Sequence, residues 1–146
     1  MRITYKGDYA LKTILDLAIH YGKGPVSIHD LARRQDMPVK FLEQILLALK
    51  RAGFVQSKRG KVGGYFLAKF PAEIKVGDVV RFIDGPAEPI ACVNRKYKEC
   101  RDLRSCAFRA IWQEVAEATH RIIDSVTFED LVKKSSANNL AAEYHI

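Results

Sequence analysis

Three cysteines fall in one short stretch, Cys92-x7-Cys100-x5-Cys106, and the chain has no others. A free cysteine that merely fills a core sits on a helix or strand. These three lie in a polar segment, residues 87–107, that lacks clean periodicity of either kind. Arg95, Lys96, Lys98, Arg101 and Arg104 surround them, a charge that complements thiolate ligands. No histidine lies among them, so a closed four-ligand zinc site lacks a member. An iron–sulfur cluster also usually takes four ligands, and the fourth can come from elsewhere. The loop setting and the odd ligand count favour a cluster over zinc or plain redox thiols. Met1-Arg2-Ile3-Thr4-Tyr5-Lys6-Gly7-Asp8 carries no apolar signal core, and no apolar run approaches a membrane span. The expectation is a cytoplasmic protein without a membrane partner, whose thiols stay reduced.

The elements that must position this loop begin with a mostly apolar helix over residues 7–21, with Asp8 in its first turn. Gly22-Lys23-Gly24-Pro25 breaks it. Ser27 then fits an N-cap, with Asp30 at the capping-box position, opening a short helix over residues 28–34. Gln35-Asp36-Met37 turns into a longer helix with Pro38 in its first turn. Phe41, Leu42, Ile45, Leu46 and Leu49 recur at helical spacing along its apolar face, and Gly53 is placed to end it. Lys40, Glu43, Gln44, Lys50 and Arg51 are left for outward faces. Phe54-Val55 and Tyr65-Phe66-Leu67 read as paired strands around a cationic, glycine-rich loop containing Lys58, Arg59, Gly60 and Lys61. A short helix, a turn, a groove-sized helix and a basic hairpin outline a winged helix-turn-helix. The plainer alternative is a helix and hairpin with a solvated basic face.

Charge supports the nucleic-acid reading. Residues 1–70 hold 13 of the 24 Lys and Arg and 5 of the 17 Asp and Glu, a balance of +8. Residues 71–146 hold the remaining 11 and 12, a balance of −1. The positive excess therefore lies in the half with the suspected DNA-reading helix, where it can neutralise phosphate. A basic membrane-surface protein fits less well, because no segment is both strongly amphipathic and dominated by Lys and Arg. An enzyme fits less well still. The chain has no phosphate-cradling glycine motif, no metal-protease motif and no supported Ser/His/Asp set, and His20, His29, His120 and His145 are scattered.

Beyond the hairpin, residues 76–83 read as a helix stopped by Asp84-Gly85-Pro86. A long helix starts at Phe108 and carries Ile111, Trp112, Val115, Thr119, Ile122, Ile123 and Val126. That stripe is too large for a small winged helix to cover, so it predicts a two-fold homodimer. Thr127 caps a last short helix, with Asp130 at the capping-box position. The organisation expected is mainly α with a small β-wing. Residues 1–85 form the DNA-binding domain, 86–107 the cysteine loop, 108–134 the dimerisation and short helices, and 135–146 a flexible tail.

Taken together, MRITYKGDYALKTILDLA, FLEQILLALKRAGFVQSKRGKVGGYFLA and three cysteines before a long helix resemble the Rrf-type winged-helix regulators. That family includes iron–sulfur cluster regulators (IscR) and nitric-oxide-sensing repressors (NsrR). The resemblance runs from Met1 to about Val132 and implies a homodimeric transcription factor, a repressor or redox sensor. It implies that Cys92, Cys100 and Cys106 hold a [2Fe-2S] or [4Fe-4S] cluster. It also maps groove contacts to Lys40, Glu43 and Gln44, and the wing to Lys58, Arg59, Gly60, Gly63, Gly64 and Tyr65. The first cysteine gap is longer here than in familiar members. Arg109 stands three residues after Cys106, where IscR has a histidine ligand. In NsrR-like members a partner-donated aspartate near the N-terminus completes the set, which points to Asp8 of the partner subunit; the plainer alternative is that Asp8 favours the positive end of its helix dipole. Gln44 suits adenine, Lys40 guanine or phosphate, and Glu43 cytosine. Arg59 suits a minor groove, while Lys58 and Lys61 suit phosphate. Two copies would read a palindromic operator in double-stranded DNA, with half-sites about one helical turn apart. A cluster-free regulator using redox thiols or a protein partner is the alternative.

Overall fold

The computed structural model describes residues 1–144. Helix α1 spans Tyr5–Ile19, α2 Ile28–Gln35 and α3 Val39–Arg51. Strands β1 (Val55–Lys58) and β2 (Gly64–Leu67) follow, then α4 (Val76–Asp84), α5 (Ala107–Ser125) and α6 (Phe128–Tyr144). The fold is mainly helical with one small sheet, as the sequence pattern predicts.

Helix α1 begins two residues before the expected start, because Thr4 caps it. The Thr4 hydroxyl accepts from the Gly7 amide at 3.0 Å. The Thr4 amide donates to the Asp84 carboxylate at 3.0 Å, pinning the start of α1 to the end of α4. Gly7 is buried against that carboxylate, where a β-carbon would strike it. Ser27 caps α2 by accepting from the Asp30 amide at 3.1 Å. The return half of the expected box is not made; the Asp30 carboxylate takes Arg33 at 2.9 Å instead. Pro38 is the N-cap of α3 rather than part of its first turn, with φ −58° and ψ 134°. Gly53 ends the α3 segment at φ 80°, the left-handed geometry expected of it.

The core collects Ile14 and Leu17 from α1, Leu31 from α2, and Leu42, Ile45, Leu46 and Leu49 from α3. Val55, Leu67, Ile74, Val79 and Phe128 close it from the later elements. Tyr9 meets Phe41 edge-on, with ring centroids 5.9 Å apart, which locks α1 across α3. Strands β1 and β2 pair antiparallel with Val55 opposite Leu67 and Lys58 opposite Gly64. Val26, just before α2, adds an extended rung to this sheet. Its amide donates to the Tyr65 carbonyl, and the Tyr65 amide donates back, both at 2.8 Å. The wing is thereby joined to the entry of the helix-turn-helix.

One expectation about the C-terminal region needs revision. The last helix is not short, and residues 135–144, expected in the tail, belong to it. They continue α6 as far as Tyr144. Thr127 and Asp130 do form the reciprocal cap, at 2.9 and 3.2 Å, and no glycine or proline follows to stop the helix. His145 and Ile146, the end of the expected tail, lie outside the described residues.

Gly64 is required by a close approach, since a β-carbon there would strike the Val26 carbonyl. Gly64→Ala should therefore destabilise the protein by about 1–3 kcal/mol, read as a lowered thermal midpoint, because backbone must move to admit the methyl.

Candidate functional site

The helix-turn-helix is set by local backbone chemistry. Asp36 takes a left-handed conformation at φ 49°, and the Met37 amide donates to the Ala32 carbonyl at 3.0 Å. Asp tolerates this geometry better than most residues. Arg34 of α2 forks onto Asp16 of α1 with two bonds of 2.6 and 2.7 Å, fixing how α2 leans on α1. That fork holds the Arg34 guanidinium above its usual range.

With Leu42, Ile45, Leu46 and Leu49 fully buried, α3 has one face left for solvent. Lys40, Glu43, Gln44, Lys50 and Arg51 are all exposed there. Leu47 shares that exposure. Lys50 is already engaged, donating to Ser57 Oγ at 2.7 Å and bracing the wing against α3.

The wing tip is closed by the Gly63 amide donating to the Gly60 carbonyl at 3.1 Å. Lys58, Arg59, Gly60 and Lys61 are exposed on it. Between the wing and the start of α2 lies an open cleft of about 480 Å³ lined by Ser27, His29, Lys58, Arg59 and Lys61. His29, read from sequence as a surface residue, is exposed on its rim.

The cysteine loop connects α4 to α5. Cys92 sits in a single 3-10 turn, Ala91–Val93, and is half-buried. Cys106 is half-buried as the N-cap residue of α5, and Cys100 is exposed. All three are free. Among the described residues of the single chain, no three His, Cys, Asp or Glu side chains are gathered as a metal site. Three free thiols are a soft donor set of the kind that iron–sulfur clusters and zinc both take, and among the described residues they are not gathered into a site. Arg109 crosses the loop: Nε donates to the Cys92 carbonyl at 3.3 Å and Nη1 to the Leu103 carbonyl at 3.0 Å. Asp8 is half-buried in the first turn of α1 and pairs with Lys12 at 2.5 Å. That bond holds the Lys12 ammonium above the usual lysine range.

Helix α5 carries a long unpartnered stripe. Phe108 is 64% exposed, Ile111 51%, Trp112 37%, Val115 41% and Ile122 60%, and Ala116 alone on this helix is buried. Among the described residues, no helix is long and apolar enough to cross a membrane. Arg81 of α4 forks onto Asp124 of α5 with two 2.7 Å bonds. Gly77 makes room for this pair, since a β-carbon there would strike Asp124. Neither this fork nor the Arg109 bridge was legible in the sequence.

These features define the class: a winged helix-turn-helix DNA-binding protein with a basic reading face. The Rrf2 family, described as an iron-dependent transcriptional regulator, matches residues 3–134. The chain is similar to the protein rrf2 of Nitratidesulfovibrio vulgaris, 37% identical over 136 residues, covering 93% of this chain and 90% of that one. The structure of CymR, the global cysteine regulator of B. subtilis, superposes with a TM-score of 0.78 at 34% identity. That match covers 92% of this chain and 98% of CymR. The IscR of T. potens gives 0.72 at 32% identity, covering 92% and 88%. The chain belongs to the Rrf2 family of transcriptional regulators. Its relatives are regulators rather than enzymes.

The Arg81 fork holds the Asp124 carboxyl below the usual carboxylate range. A carboxylate depressed on folding stabilises above its ordinary value, near ~4, and loses that contribution as pH falls through its folded value. Asp124→Asn should thus cost about 1 kcal/mol or less at pH 7, because both partners are about one-third exposed. In denaturant titrations the gap between variant and wild type should close below pH ~4.

Proposed function

We propose that this regulator acts as a homodimer on a palindromic operator and senses its signal through an iron–sulfur cluster held by the cysteine loop. The observation that carries the reading is three free thiols in one loop joining the DNA-binding head to α5. Cys92, Cys100 and Cys106 supply soft ligands, and Asp8 of the partner subunit supplies a carboxylate as the fourth. When bound, the cluster, [4Fe-4S] or [2Fe-2S], supplies a centre labile to oxidants and nitric oxide. The chain's own part is mechanical. The loop spans α4 and α5, so ligation of its thiols constrains how the head sits on the dimer helix.

In the DNA complex, Lys40, Glu43 and Gln44 face base edges. Arg51, Lys58, Gly60 and Lys61 contact phosphate, with Arg59 directed to a minor groove and Lys50 bracing the wing. The setting is the cytoplasm, where regulated DNA and reduced thiols coincide. A second reading, a thiol switch without iron, is favoured by the exposure of Cys100 and by the ungathered thiols of the single chain. The similarity to the cysteine regulator CymR is compatible with it.

Anaerobic preparation should give a brown protein with iron and sulfide, and Cys100→Ala should remove the visible absorption. Asp8→Ala should shorten the cluster's lifetime under nitric oxide; an unchanged lifetime excludes the carboxylate ligand. Colourless protein whose operator binding responds to thiol oxidants would establish the second reading. Separately, Ile111→Asp on the α5 stripe should convert a sedimenting dimer to monomer. Operator affinity should fall by roughly a hundredfold as two linked half-site contacts become one.

A further inference from the structure

We propose that Arg109 is the positioning residue of the cysteine loop, a clasp that seats Cys92 over the first turn of α5 before any cofactor arrives. Its guanidinium reaches two carbonyls on opposite flanks of the loop, those of Cys92 and Leu103. Seventeen residues separate Arg109 from Cys92, and six separate it from Leu103. One side chain therefore ties the loop's entry and its exit to the same helical turn. That turn begins at Cys106, whose carbonyl accepts from the Arg109 amide at 3.3 Å. The amides of Ser105 and Cys106 both donate to the Asp102 carbonyl, at 3.0 and 2.8 Å, so the exit flank is itself a closed turn. Cys100 lies between the two tied points and is exposed. Cys92 and Cys106, beside the ties, are half-buried.

Arginine suits this task because its planar fork presents donors in fixed relative directions and stays charged. A lysine ammonium has three donors, but on one rotating nitrogen at the end of a flexible stem, so it holds the two carbonyls in no fixed relation. The clasp deepens the proposed sensing role of the loop, yet it concerns the chain's own geometry and holds with or without iron.

The test uses the full-length, metal-free, reduced protein and follows iodoacetamide alkylation of each cysteine by mass spectrometry. In Arg109→Ala, which removes both bonds, Cys92 should react about tenfold faster, the change expected from losing the one charge-assisted hydrogen bond to its own carbonyl. Cys100, already exposed, should keep its rate, and the thermal midpoint should stay within a degree or two, about the range of a benign surface change. Arg109→Lys should fall between wild type and alanine. Equal Cys92 rates in all three proteins would overturn the proposal, as would equal acceleration at all three cysteines. If Arg109→Ala melts early, the Lys variant carries the test through its Cys92-to-Cys100 rate ratio, and an unchanged ratio overturns the proposal. A colourless anaerobic protein with selective Cys92 release would uphold the clasp and remove the cluster. A brown protein with unchanged rates would do the reverse.

Discussion

Rotation of α3 is the constraint on which the rest of the molecule depends. Leu42, Ile45, Leu46 and Leu49 are fully buried, and each contributes roughly 1.5–3 kcal/mol by leaving water. Turning the helix by half a revolution would expose them all, a cost near the whole stability of an ordinary domain. No surface charge interaction is large enough to compete with that. The outward set from Lys40 to Arg51 is therefore a by-product of packing, presented with little freedom. Tyr9 against Phe41 and the Arg34–Asp16 fork then fix where that rigid face points.

Polar links add to this core and reach beyond it. The Thr4–Asp84 bond joins α1 to α4, and the Arg81–Asp124 fork joins α4 to α5. Both are polar and partly solvated, and pairs of this kind contribute about 1 kcal/mol or less. Val79 seats α4 in the same core as the reading head, whereas α5 buries only Ala116, so the junction of α4 with α5 is where a modest bias at the cysteine loop can compete. Gly7 and Gly77 each vacate space for one of the two aspartates, so these links are built into the backbone as well as the side chains.

What the sequence disclosed follows the same division. The helices of the core were readable because burial imposes a period, as at Phe41 through Leu49. The wing was readable because glycines and paired apolar residues mark a hairpin, and the cysteines because three in a polar loop need a reason. The Arg81–Asp124 fork was not readable, because it spans 43 residues and two charged side chains leave no pattern. Arg109 was noticed in the sequence for the histidine it replaces, while its two carbonyl partners emerged only in three dimensions. The length of α6 was misjudged because serine and asparagine suggest looseness, whereas the Thr127 cap and the buried Phe128 start a helix that nothing interrupts.

The bare stripe on α5 has a consequence for cellular dosage. On the paired reading, the operator recognises only the joined species, whose amount at low abundance rises with the square of chain number. Halving synthesis would then quarter the competent pool. Gene control by such a chain acquires a threshold from stoichiometry alone, before any chemical signal is received.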